Sequence, residues 1–359
     1  MLSRLPILML SSLLAALLAT GGARAQVGVT DGPKGVVVNP ANGKAYAVFP
    51  ELGLVKIADG RTGAVKALPT GANVKDLTLD PRTGRVYAMN RGPGTISVID
   101  PDSDAVIQTI PADRGSLTAL DPATGKLYVS ASTGTDPSVV DLATGQVTVI
   151  RAGTEGNALS VNSKAGKIYF VGYEDNFLTI VDAATLAPTR LALPGWHQWD
   201  SAFDDKTGRL LLPSPNDDML ILVDTANGDT VSTIGTGKSP VAAAVNGRTG
   251  TLYVVNYESS DVTVIDGRTN RPVATVKVGL WPQQIAVNER TGRVYVANTH
   301  DASVSVIDGR THALVATVPT GAAPWAIAAD PVRNKVYVAS RVDGALTIID
   351  GATNTAVRK

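Results

Sequence analysis

Three histidines, His197, His300 and His312, are the only side chains that ordinarily titrate near neutral pH, and they stand far apart in the sequence. None belongs to a His-Glu-x-x-His pair. The chain also lacks a Gly-x-Ser-x-Gly elbow and a Gly-x-x-x-x-Gly-Lys phosphate loop. There is no cysteine, which excludes thiolate metal sites, cysteine nucleophiles and haem attachment through Cys-x-x-Cys-His. No metal site and no cofactor are therefore expected. The catalytic option left is a histidine base, His197 or His300, with Glu174 or Glu258 as its acidic partner. That set would suit a periplasmic hydrolase or lyase of the lactonase kind.

Recognition chemistry is richer. Aromatic residues make up only 5% of the chain, yet all four tryptophans, Trp196, Trp199, Trp281 and Trp325, fall in segments of one kind. Tyr173 and Tyr257 fall in a second kind of segment, with Glu174, Glu258 and His300. Large rings with a polar tip suit sugars, aromatic ligands or protein surfaces. Lys75, Arg91 and Arg341 lie in the same two kinds of segment and offer contacts to an anion.

The elements that must position these residues come from a repeat. Tyr46, Tyr87, Tyr128, Tyr169, Leu211, Tyr253, Tyr295 and Tyr337 are 41 or 42 residues apart. Asp59, Asp100, Asp141, Asp182, Asp224, Asp266, Asp308 and Asp350 follow the same steps. The unit from Trp281 to Gly321 predicts four strands, Gln284–Asn288, Arg293–Asn298, Ser303–Asp308 and Ala313–Val318. Asn or Asp opens each turn and glycine closes it, as in Asp80-Pro81-Arg82-Thr83-Gly84. The marker aspartates are thus read as turn formers, not catalysts. A four-stranded meander cannot bury both faces alone, and radial stacking of such sheets makes a propeller. The expected fold is all-β, a single β-propeller of eight four-stranded antiparallel blades over residues 26–359.

Val294–Asn298 (Val-Tyr-Val-Ala-Asn), Leu252–Asn256 (Leu-Tyr-Val-Val-Asn) and Val336–Ser340 (Val-Tyr-Val-Ala-Ser) resemble the YVTN β-propeller repeat, as do the flanking Thr-Gly and Val-Ile-Asp-Gly segments. The resemblance implies a bacterial periplasmic or surface propeller, often with seven blades, so seven is the alternative to the eight counted here. Ala119–Lys126 is also similar to the repeat of eight-bladed quinoprotein dehydrogenases, but Val129 stands where their docking tryptophan would be, and the hairpin turn explains the match. In a propeller the linkers between blades and the connections between second and third strands share one face. That face would carry the aromatic and basic residues named above.

The first 25 residues read as a signal peptide: Arg4, an apolar run from Leu5 to Thr20, then Ala23-Arg24-Ala25 before the cut. Removing it takes away Arg4 and Arg24, leaving 30 basic against 32 acidic side chains. Near-neutral charge argues against nucleic acid or a polyanion as the partner, which stays the weakest alternative. The expectation is a periplasmic or secreted monomer, without a membrane span after cleavage, that binds a protein or small ligand without catalysis. Either Val27-Gly28-Val29 or Thr355–Arg358 is in register to complete the last blade.

Overall fold

The computed structural model describes residues 35–131, 135–154, 156, 158–172, 175–195, 198 and 200–359. These form eight four-stranded antiparallel meanders: blade 1 over 36–69, blade 2 over 74–111, blade 3 over 118–149, blade 4 over 158–192, blade 5 over 202–235, blade 6 over 240–277, blade 7 over 282–319 and blade 8 over 324–358. In blade 7 the strands are Pro282–Asn288, Arg293–Asn298, Ser303–Asp308 and Ala313–Pro319. The first begins two residues earlier than its predicted start, because a bulge at Gln283 lets Pro282 pair with Asn298 before Gln284 pairs with Ala297. No α-helix occurs among the described residues, and no helix there is long and apolar enough to cross a membrane.

The blades close into a ring. First strands of successive blades neighbour one another all the way round, including those of blades 8 and 1. One buried apolar cluster lies at each of the eight blade interfaces. Ala356–Arg358 pairs with Leu346–Asp350 and supplies the fourth strand of blade 8. The seam between blades 8 and 1 is packed by Tyr337, Leu346 and Ile348 against Ala45, Ala47 and Phe49. Lys56 Nζ crosses it to donate to Gly344 O at 2.7 Å.

The repeated tyrosine explains itself here. Each of these phenol rings is buried in an interface, and in blade 5 Leu211 takes the place. At three interfaces the hydroxyl reaches the glycine that follows the turn aspartate of the next blade. A Cβ built on Gly60, Gly309 or Gly351 would lie 2.2, 2.7 or 2.8 Å from the Oη of Tyr337, Tyr253 or Tyr295. The glycine therefore leaves room for the phenol tip.

A second device ties the linkers into blades 6 and 7. Asn256 Nδ2 donates to Asp261 Oδ1 (2.8 Å) and Thr263 Oγ1 (2.9 Å), and Thr263 Oγ1 accepts from Gly237 N at 3.1 Å. Asn298, Ser303, Ser305 and Gly279 repeat this pattern one blade on. So the Asn that ends the second strand locks the third strand and the incoming linker together.

The marker aspartates are turn formers, as expected. Asp308 Oδ1 accepts from the backbone N of Arg310 and Thr311 at 2.9 and 3.0 Å. Backbone donors lead in holding Asp100, Asp141, Asp182, Asp266 and Asp308 below the ordinary carboxyl range. At Asp59 the Arg61 side chain leads, and at Asp350 the Lys335 ammonium leads, pulling that carboxyl down to about 2.

Two outcomes follow. A methyl at Gly309 would meet Gly292 O at 2.5 Å as well as the Tyr253 hydroxyl, so Gly309→Ala should lower stability by about 1–3 kcal/mol in urea unfolding. An unchanged midpoint would refute the tight fit. These carboxyls titrate lower folded than unfolded, so their stabilisation is complete above the unfolded value of 3.8 and is lost as pH falls toward 2. Thermal midpoints should stay level from about pH 7 to 5 and drop between about pH 4 and 2. A midpoint rising through that acid range would contradict this.

Candidate functional site

In a four-stranded meander the second and fourth strands run the same way. The connection after the second strand and the linker after the fourth therefore meet at one end of every blade. That end carries Tyr257, Glu258, Trp281, His300, Trp325, Lys75, Arg91 and Arg341. Trp196, His197, Trp199, Tyr173 and Glu174 lie outside the described residues.

Three of the predicted residues come together where blade 6 hands over to blade 7. The Tyr257 and Trp281 rings stack with centroids 5.8 Å apart and planes at 25°. His300 sets its ring on edge against Trp281 at 4.9 Å. Trp281 is 39% exposed, and beside it Leu280 is exposed too. Burial, then the charge of Glu258, pushes the Tyr257 phenol up to about 12, so it stays a neutral donor at physiological pH.

The backbone under Trp281 is unusual for its residue. Its φ is +53°, in the left-handed region. Asn73, Ser239 and Ala323 hold the same register in their blades with φ of 56°, 55° and 55°. The turn takes this conformation in blades 2, 6, 7 and 8, and shorter side chains meet it in the other three. A bulky residue there costs roughly 1–3 kcal/mol, which the aromatic contacts offset at about 0.5–1.5 kcal/mol per pair. A large ring kept at a strained, exposed position points to a role outside the fold.

His300 has an acidic partner, though neither of those expected. Its Nδ1 lies 3.2 Å from Asp301 Oδ1, while Asp301 Oδ2 accepts from Leu280 N at 2.7 Å. Asp343 caps the following linker the same way, accepting from Ala322 N at 2.8 Å. The sequence signal for this acidic linker cap is the 42-residue step from Asp301 to Asp343. Glu258 is exposed beside Tyr257, and its backbone N donates to Lys238 O at 3.2 Å.

The remaining residues are placed elsewhere on that end. Trp325, half-buried, packs on the cluster between blades 8 and 1. Arg341 reaches Glu51 at 3.7 Å across that seam, beside a groove of about 250 Å³ lined by Phe49, Leu52 and Val342. Lys75 and Arg91 belong to blade 2, across the ring from blade 6; Lys75 is the bulged residue between Val74 and Asp76. The basic residues thus do not join the aromatic cluster. A contact missed from sequence joins blade 7 to blade 5, where Gln284 Nε2 donates to Asp200 Oδ2 at 3.2 Å.

No protein-family model matches the chain, and no curated protein matches it. Solved structures do. The dihydro-haem d1 dehydrogenase NirN, in complex with DHE, superposes with a TM-score of 0.74 at 17% identity, covering 92% of this chain and 75% of that one. Kuenenia stuttgartiensis hydrazine synthase gives 0.60 at 15% identity, covering 92% and 98%. Apo AztD from Citrobacter koseri gives 0.60 at 16% identity, covering 85% and 90%. At such identities the likeness is one of fold.

The strain argument has a direct test. Trp281→Asn should leave stability within about 1 kcal/mol of the parent, since asparagine tolerates a left-handed backbone. Trp325→Ala should lose about 3 kcal/mol, because its ring is packed between blades. Equal losses in urea unfolding would remove the distinction.

Proposed function

We propose that the chain is an exported propeller of the YVTN repeat type that binds a protein or small ligand, without catalysis, on the Tyr257, Trp281 and His300 ledge. The observation that carries this reading is Trp281 itself, exposed and stacked at a left-handed backbone position where blades 2, 6 and 8 use Asn73, Ser239 and Ala323. The NirN structure, which shares the fold, was determined in complex with DHE. Conversion by a histidine base is the second reading, favoured by the 3.2 Å approach of Asp301 to His300. Export rests on residues 1–25, and protein recovered outside the cytoplasm should begin at Gln26 by mass spectrometry; recovery only as the full chain in the cytosol would exclude it.

The binding test is a thermal-shift screen of small molecules and peptides on the parent, Trp281→Asn and His312→Asn. His312 sits in an outer turn at φ +58°, so asparagine fits there. Ligands that stabilise the parent and His312→Asn, but not Trp281→Asn, are expected. Stabilisation that persists in Trp281→Asn would reject the ledge. Turnover of a bound lactone or ester that disappears in His300→Gln would move the assignment to the enzymatic reading.

A further inference from the structure

The same end of the ring holds polar groups whose hydrogen bonds are unmet. Gln198 is fully buried, and neither its amide oxygen nor its amide nitrogen has a partner. Gln283 is 7% exposed with Oε1 unpartnered, and the Trp325 Nε1 is buried without an acceptor. All three sit where the chain enters a first strand, in blades 5, 7 and 8. The Gln284 to Asp200 hydrogen bond joins blades 7 and 5, which are not neighbours. It must therefore pass inside the first strand of blade 6, across the mouth of the ring. Gln198 is two residues from one end of that bond and Gln283 adjoins the other. Two residues from Gln283 in the opposite direction stands Trp281.

Buried polar groups are nearly always paired, and unpaired ones mark places where a partner belongs. The unmet demand here has two signs. The Gln198 and Gln283 carbonyl oxygens need donors, while the Gln198 amide nitrogen and the Trp325 indole need acceptors. A carboxylate or phosphate would supply acceptors alone, and an ammonium group donors alone. Hydroxyl groups supply both. Two of the bordering cations already have counter-charges, Lys238 with Asp218 and Arg341 with Glu51. A neutral ligand fits such a surround. Trp281, backed by Tyr257, adds an exposed aromatic plane of the kind that takes an apolar ligand face.

We infer that the mouth bounded by blades 5 to 8 binds a neutral saccharide. One sugar ring lies on Trp281, and hydroxyls reach Gln198 and Gln283. The inference rests on the proposed role of the Trp281 ledge and gives that ledge a ligand class.

The test titrates the full chain with maltotriose, cellotriose and triacetylchitotriose, with trialanine and inorganic phosphate as comparators, by calorimetry and tryptophan fluorescence. At least one trisaccharide should bind saturably. Gln198→Leu and Gln283→Leu should each weaken it by about tenfold or more. Both variants should keep or raise the thermal midpoint, since leucine removes a buried polar group without emptying its volume. That combination separates a binding role from a structural one. Trisaccharide binding unchanged in both variants would overturn the inference. If only trialanine or phosphate binds, and Trp281→Asn abolishes it, the saccharide class fails while the ledge stands. If none of the five probes binds, the saccharide inference fails, and the thermal-shift screen decides the ledge separately.

Discussion

A four-stranded sheet has two faces, and in this chain every blade must hide both against neighbours. The second-strand tyrosine meets that constraint by pushing a long ring into the adjacent blade, and at the 6–7, 7–8 and 8–1 interfaces the glycine after the next turn aspartate makes room for its tip. With Leu211 in blade 5 there is no hydroxyl to receive, and the Leu252 side chain lies beside Gly267 instead. Tyrosine, aspartate and glycine of the repeat thus form one mechanical unit shared between two blades. Ring closure is that unit applied once more, with Tyr337 of blade 8 against Gly60 of blade 1.

The asparagine latches have a different consequence. By fixing linker and third strand to the end of the second strand, they make the connection end rigid at its base. Residues such as Trp281 and His300 can then vary above a stable platform. The strain at Trp281 is tolerated because the linker backbone is held on both sides, by Leu280 N on Asp301 and by Thr299 N on Trp281 O at 3.0 Å.

Nearly all of the fold was legible in the residues, because two markers with matching spacing leave one architecture. Tyr46 to Tyr337 gave the blade count, and the Asp-x-x-Thr-Gly turns gave the hairpins. Which segment finishes blade 8 was not legible, since both Val27–Val29 and Thr355–Arg358 carry acceptable strand residues and only pairing decides; Ala356–Arg358 pairs. At the candidate site, register placed Trp281, Tyr257 and His300 at one end but gave no distances. The Trp281 backbone was hidden, because nothing in a tryptophan announces a positive φ; only alignment with Asn73 would hint at it. The contact of Asp200 with Gln284 depends on the radius of the ring, which periodicity does not encode.

Closure also alters how the molecule comes apart. A solenoid of stacked repeats has two terminal units, each with a single neighbour, and it frays from there. In this ring every blade has two neighbours, so detaching any one exposes two apolar interfaces at once. With no disulfide to bridge them, cooperativity comes from topology alone, and a lesion at one interface should be felt by the whole domain as a single loss of stability rather than as local loosening.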